Sequence, residues 1–352
     1  MRPTAPGART IVVVAIAALL SLPGALAAQT FTTQKFNIGG DGGFDYLSVD
    51  PGTGRVFVSR GSHIMVVDGA TGKVVGDIGD TPRTHGALLL PSINRGFTTN
   101  GGDSTSTMFD LTTLAVIKKI HTGHSGLDGF MYDDAADKVL TIDHSRPQGT
   151  AVVIDPHTGD VVTTVMLNGD APEGGVSNGK GRVFINSEDG NAVEVVDDKT
   201  WKVIDTWPVS PCEGPTGIAM DRESNRIFVG CSTQSIVLDA STGKIVAQIP
   251  NGRGVDAFGW DQAEKLMYIP AGDGTVTVVH EDSPDKYSVV ATVQTMRGAR
   301  TLAIDPRTHV AYVFTPEYGP APAPAPGSPP PTGRGRGPRG PVIAAWLIAI
   351  KH

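Results

Sequence analysis

Three features of the sequence predict an all-β fold, a seven-bladed β-propeller closed by pairing of N- and C-terminal strands in one blade. The first is composition: the 352 residues include 44 Gly and 26 Pro, with charged residues at only 18% and aromatics at 6%. An ordinary soluble domain carries about 25% charged residues, so this chain is turn-rich and charge-poor, against the composition of helical bundles and coiled coils. The second is a repeat of 40 to 45 residues that recurs along almost the whole chain. The third is that a strand missing from the last repeat stands at the opposite end of the sequence.

Taken in order, residues 1–28 read as a secretory signal. Arg2 and Arg9 supply a positive start, Ile11 to Leu20 an apolar run, and Ala25-Leu26-Ala27 a small-x-small cleavage pattern. The run is well short of the ~20 residues needed to span a bilayer. Cleavage removes Arg2 and Arg9 and no acid, taking the formal charge from −7 to −9. The expected location is periplasmic or secreted, where disulfides persist.

Residues 29–352 then read as a single propeller domain. One recurring unit is a β-rich run ending in Asp68, Asp110, Asp155, Asp197 or Asp239, each followed by a turn and a second strand, as in Ala70-Thr-Gly-Lys-Val-Val75. Turn residues between two β-branched runs indicate hairpins. The other unit is a small-residue strand ending in an acid, a polar turn, and an aromatic-containing strand. Thr216-Gly-Ile-Ala-Met-Asp221 followed by Arg226-Ile-Phe-Val-Gly230 is one copy. Copies begin at residues 45, 85, 128, 173, 216, 256 and 300. Seven units of four short strands at this period describe a propeller.

Blade seven is interrupted. Its first two strands are complete by Phe314, and residues 316–341 hold ten of the prolines and a Gly-Arg repeat, a composition that favours an extended loop. Val342 to Ile350 returns as an apolar strand, and Phe31 to Ile38 supplies the fourth. Closure of this kind removes exposed sheet edges.

With these units assigned, the chain resembles the YVTN-repeat (YncE-like) seven-bladed propeller family across 29–352. The family's strand motif stands here in degenerate form as Phe97-Thr-Thr-Asn100, Phe184-Ile-Asn186 and Phe57-Val-Ser59, with Asp-x-x-Thr-Gly-Lys turns at Asp68 to Lys73 and Asp239 to Lys244. The resemblance implies a propeller fold and an exported location, and no single activity.

The inner strand of each blade lines the channel of a propeller and begins at one mouth. Alignment of the seven copies puts Asp45, His85, Asp128, Glu173, Thr216, Asp256 and Arg300 in equivalent positions, a mixed polar ring expected to bind a ligand. A small residue follows at Gly86, Gly129, Gly174, Gly217 and Ala257. Five positions on, Asp50, Asp133, Asn178, Asp221, Asp261 and Asp305 (with Leu90 in blade two) are expected to cap turns. His121, His124, Arg146, Asn186, Glu188 and Asp189 fall on loops of the same face. His85, Asp128 and His144 form the candidate set for a divalent metal.

Cys212 and Cys231 are the two cysteines. Pairing the inner strand of blade five with its neighbour brings Thr216 opposite Cys231, with Cys212 at the same mouth, so a disulfide is expected rather than a redox pair. The sequence contains no G-x-S-x-G, H-E-x-x-H or P-loop motif. Its four tryptophans, Trp201, Trp207, Trp260 and Trp346, are too few for a quinone-stacking repeat. Acidic charge disfavours nucleic acid. The expected function is a monomeric, exported binding or scaffold protein with a small-molecule or protein partner at the channel mouth. A metal-assisted, lactonase-like hydrolase on the same residues is the alternative.

Overall fold

The computed structural model describes Met1 and residues 30–43, 45–321 and 339–352. The expected signal segment, apart from Met1, and the Pro/Gly stretch 322–338 lie outside the described residues. The described residues form seven four-stranded antiparallel sheets, the blades of a β-propeller. Blade one is Leu47–Asp50, Arg55–Ser59, Ile64–Asp68 and Val74–Ile78, from the channel outwards. Among the described residues no helix is long and apolar enough to cross a membrane.

Blade seven closes the ring as its sequence predicts. Leu302–Asp305, Val310–Tyr318 and Val342–Lys351 pair in turn, and Thr32–Asn37 adds the outer strand, with Thr32 opposite Lys351 and Asn37 opposite Trp346. One boundary differs: the second strand does not stop near Phe314 but runs to Tyr318, where it pairs with Val342. Trp346 explains part of that extension, since its indole N–H donates to Glu317 Oε2 at 2.8 Å. The two long strands therefore stand proud of the other blades on the mouth face.

The local chemistry of the turns is side-chain capping. Oδ1 of Asp50, Asp133, Asn178, Asp221, Asp261 and Asp305 each accepts a backbone N–H two residues on, at 2.8 to 3.2 Å. Blade two, with Leu90 at this position, uses a 3-10 turn over Pro91–Ile93 instead. On the outer hairpins Asp68, Asp110, Asp155, Asp197 and Asp239 accept the N–H three residues on.

The third strands are largely buried; in blade one this strand reads as an apolar run, Ile64–Asp68, whereas in blade two it carries the buried hydroxyls of Thr105, Ser106 and Thr107. Their side chains pack between blades. Ile64 and Val66 of blade one meet Ala87 and Phe109 of blade two. Val56 and Val58 meet Phe314 and Leu347 of blade seven. Each such buried side chain contributes about 1.5–3 kcal/mol. The blades are thus glued face to face, while the outer strands expose Val74 and Val161.

Candidate functional site

The ring residues are set by one device in three blades. In blades two, three and four the inner strands are Thr84–Leu90, Leu127–Asp133 and Pro172–Ser177. Their pairing is irregular between Thr84 and Gly86, between Leu127 and Phe130, and between Pro172 and Gly175. His85, Asp128 and Glu173 sit in those irregularities, which free each side chain from the strand's alternation. In the other four blades the ring residue precedes the inner strand. Asp45 does so with a left-handed backbone, φ 66°.

Neighbouring blades lock these positions. Tyr46 N–H donates to the His85 carbonyl at 2.8 Å. Thr99 Oγ1 donates to the Asp128 carbonyl at 2.6 Å, and Thr301 Oγ1 to the Asp45 carbonyl at 2.5 Å. Asn186, the last residue of a degenerate strand motif, donates to the carbonyls of Thr216 and Gly217 at 3.0 and 3.1 Å. The motif therefore holds the next blade's ring residue by its backbone.

The side chains form a belt of ion pairs. His85 Nδ1 lies 2.9 Å from Asp45 Oδ2 and 3.0 Å from Asp128 Oδ1. Arg300 Nη2 lies 3.0 Å from Asp256 Oδ2 and 3.5 Å from Asp45 Oδ1. His144, from the loop after the second strand of blade three, places Nδ1 3.1 Å from Glu173 Oε1 and Nε2 3.7 Å from Glu188 Oε2. Thr216 is the exception: its hydroxyl donates to the Val255 carbonyl at 2.9 Å and serves the backbone.

Burial makes these charges interact strongly. Burial alone would lower the His85 imidazole, but Asp128 and Asp45 reverse this and push it up to about 10. His144 is likewise pushed up to about 9 by Glu173, against its burial. Burial, with Asp128 next, raises the Glu173 carboxyl to about 7. Asp256 is pushed well above the carboxylate range by burial and by Asp45. Burial also works to raise Asp45, yet His85 and Arg300 outweigh it and hold it low.

Of the candidate metal set, His85 and Asp128 are brought together, and His144 joins from the other side. The donors fall in two overlapping groups, Asp45–His85–Asp128 and Asp128–His144–Glu173, with the donor atoms of each within 4.8 Å of one another. Asp128 is common to both. Of the loop candidates, Glu188 joins the belt through His144 and Asn186 holds the ring's backbone, whereas His124 pairs with Asp143 at 3.5 Å and Arg146 with Asp189.

Tyr46 and Phe130 were not among the sequence candidates. The Tyr46 phenol donates to Glu173 Oε2 at 2.9 Å, reaching from blade one to blade four, and its ring meets Phe130 edge-on at 5.8 Å. Both border a cavity of about 190 Å³ with Leu47, Ile218 and Phe258. The signal for Tyr46 was present: it follows the ring residue where four blades carry Gly. The Cys212–Cys231 disulfide is formed, with Cα atoms 5.6 Å apart.

No family model matches the chain, and no curated protein matches it. Among solved structures it is similar to hydrazine synthase of Kuenenia stuttgartiensis, with a TM-score of 0.68 and 14% identity over 83% of this chain and 95% of that one. It is also similar to a chain of a mitotic checkpoint complex, with a TM-score of 0.70 and 13% identity over 87% of this chain and 95% of that one. At such identities the likeness establishes the fold: this chain is a seven-bladed β-propeller.

Proposed function

We propose that the chain is an exported, non-catalytic binding propeller of the YVTN-repeat (YncE-like) kind, and that its mouth ring takes a cationic ligand. The degenerate strand motifs and the disulfide support the family and the compartment. One observation carries the ligand class: the ring's four acids, Asp45, Asp128, Glu173 and Asp256, face a single arginine, Arg300. The rest of the balance comes from His85 and His144, which the neighbouring carboxylates push up to about 10 and 9, while burial raises the Glu173 and Asp256 carboxyls. Protons stand where a cation can replace them, and Tyr46 and Phe130 add aromatic faces suited to an amine.

The test is thermal unfolding with calcium, zinc and putrescine as probes, because a ligand of the native state raises its stability. A saturable rise with one of them, abolished by Asp128→Asn with Glu173→Gln, supports the reading. No rise with any of the three overturns it.

The two convergent His–carboxylate groups favour a second reading, in which the cation is a divalent metal that activates water for hydrolysis. Asp45, His85 and Asp128, or Asp128, His144 and Glu173, would hold it. Elemental analysis of protein purified without chelator shows whether the cation is a resident metal, and lactone hydrolysis that is lost together with the metal in His85→Ala or Asp128→Ala selects the enzyme, whereas metal without hydrolysis keeps the binding reading.

A further inference from the structure

Beside the ring, a second cavity has the opposite electrostatic character. A cleft of about 620 Å³ opens between the tall second strand of blade seven and the loops leading into blades seven and one. That volume lies within the roughly 300–1,000 Å³ usual for small-molecule sites. Arg297, Arg300 and Arg339 line it, against one carboxylate, Asp45. Asp45 is already committed to His85 and Arg300. Three arginines thus border one cleft in a chain whose formal net charge is −7.

Two of the three have no acidic partner. Among the described residues, the Arg297 guanidinium makes no hydrogen bond or ion pair; only its carbonyl is used, by Thr315 Oγ1 at 3.0 Å. Arg339 donates to the Tyr318 hydroxyl at 2.9 Å and lies over that ring at 4.8 Å from its centroid. Phe314 and Tyr318 supply an apolar wall. A guanidinium is a planar fork matched to carboxylate or phosphate oxygens. One fork with no partner and one that spends a single N–H on Tyr318, beside an aromatic wall, describe a ligand with two acidic charges on an apolar frame.

We propose that this cleft binds a small organic dianion, its acidic oxygens on Arg297 and Arg339 and its carbon frame against Phe314 and Tyr318. The site is separate from the cation-binding ring and meets it only through Arg300 and Asp45.

Isothermal titration of the intact protein with isophthalate, phenyl phosphate and inorganic phosphate tests this. Isophthalate or phenyl phosphate is expected to saturate, and whichever binds tighter identifies the acid as carboxylate or phosphate. Arg297→Gln with Arg339→Gln is expected to weaken that binding about tenfold or more, the worth of losing charge-assisted bonds. Both side chains are exposed, and an unchanged thermal midpoint verifies the fold of the variant. Tyr318→Ala, which removes the aromatic wall together with the hydroxyl and ring that seat Arg339, weakens the organic probes more than inorganic phosphate. Three results overturn the proposal: no saturation by either organic probe at about 10 mM, where even millimolar affinity registers; wild-type affinity in the double arginine variant; or inorganic phosphate binding as tightly as phenyl phosphate. The ring's cation probes, run on the same double variant, keep their effect, so failure of one site is distinguishable from failure of the other.

Discussion

The Tyr46 hydroxyl donates to Glu173 Oε2 at 2.9 Å, joining blade one to blade four across the channel mouth. A side chain from one blade thereby satisfies a carboxyl three blades away in ring order. Tyr46→Phe removes this bond and leaves a buried carboxyl oxygen without its donor. A loss of about 1–2 kcal/mol of unfolding free energy is expected, measured by urea denaturation. An unchanged midpoint would mean that water replaces the phenol.

His85 makes stability depend on pH with a definite sign. Its folded-state value is pushed up to about 10 from 6.5, so the imidazolium's contribution is whole below pH 6.5. It is lost as pH rises through about 10, on the order of a few kcal/mol. In chelator-treated protein, His85→Gln should be less stable than wild type at pH 6.5, with the gap narrowing towards pH 10. A gap independent of pH would refute the ion-pair account.

Gly129 permits two inner strands to approach. A Cβ at this position would fall on the Glu173 carbonyl, which belongs to rigid backbone. Gly129→Ala is expected to cost about 1–3 kcal/mol, the usual penalty for overpacking. Gly79, where a Cβ meets nothing within 4 Å, provides the control substitution.

The Cys212–Cys231 bridge ties the loop entering blade five to that blade's own sheet over a separation of 19 residues. Closing a loop of this length contributes about 3 kcal/mol. Replacing both cysteines with serine should lower the unfolding free energy by that order, in a comparison of oxidised protein with the double variant. No loss would place the loop's stability in its packing alone.

The ring was legible because it repeats. A position recurring seven times, in five copies with Gly or Ala after it, can be aligned without structure, and the turn-capping acids are legible because their chemistry is local. What departs from the repeat in a single blade was hidden. Tyr46 replaces a glycine once, and Arg297 lies on a loop leading into one blade. His144 lies on a connecting loop whose path no periodicity describes, so its pairing with Glu173 rather than with His85's neighbours needed coordinates. Pro316 to Tyr318 extend a strand because the partner Val342–Lys351 is long enough to hold them, a non-local cause.

Blade seven draws strands from both ends of the chain, and this fixes when the ring can exist during synthesis. Blades one to six are local hairpin runs that can pair as they emerge from the ribosome. Thr32–Asn37, made early, must wait for Val342–Lys351 before it has a partner. Until then the salt bridge between Arg300 and Asp45 has no closed circle to hold it. A chain stopped before residue 342 would carry all seven ring residues and still lack the closing strand that draws the circle together.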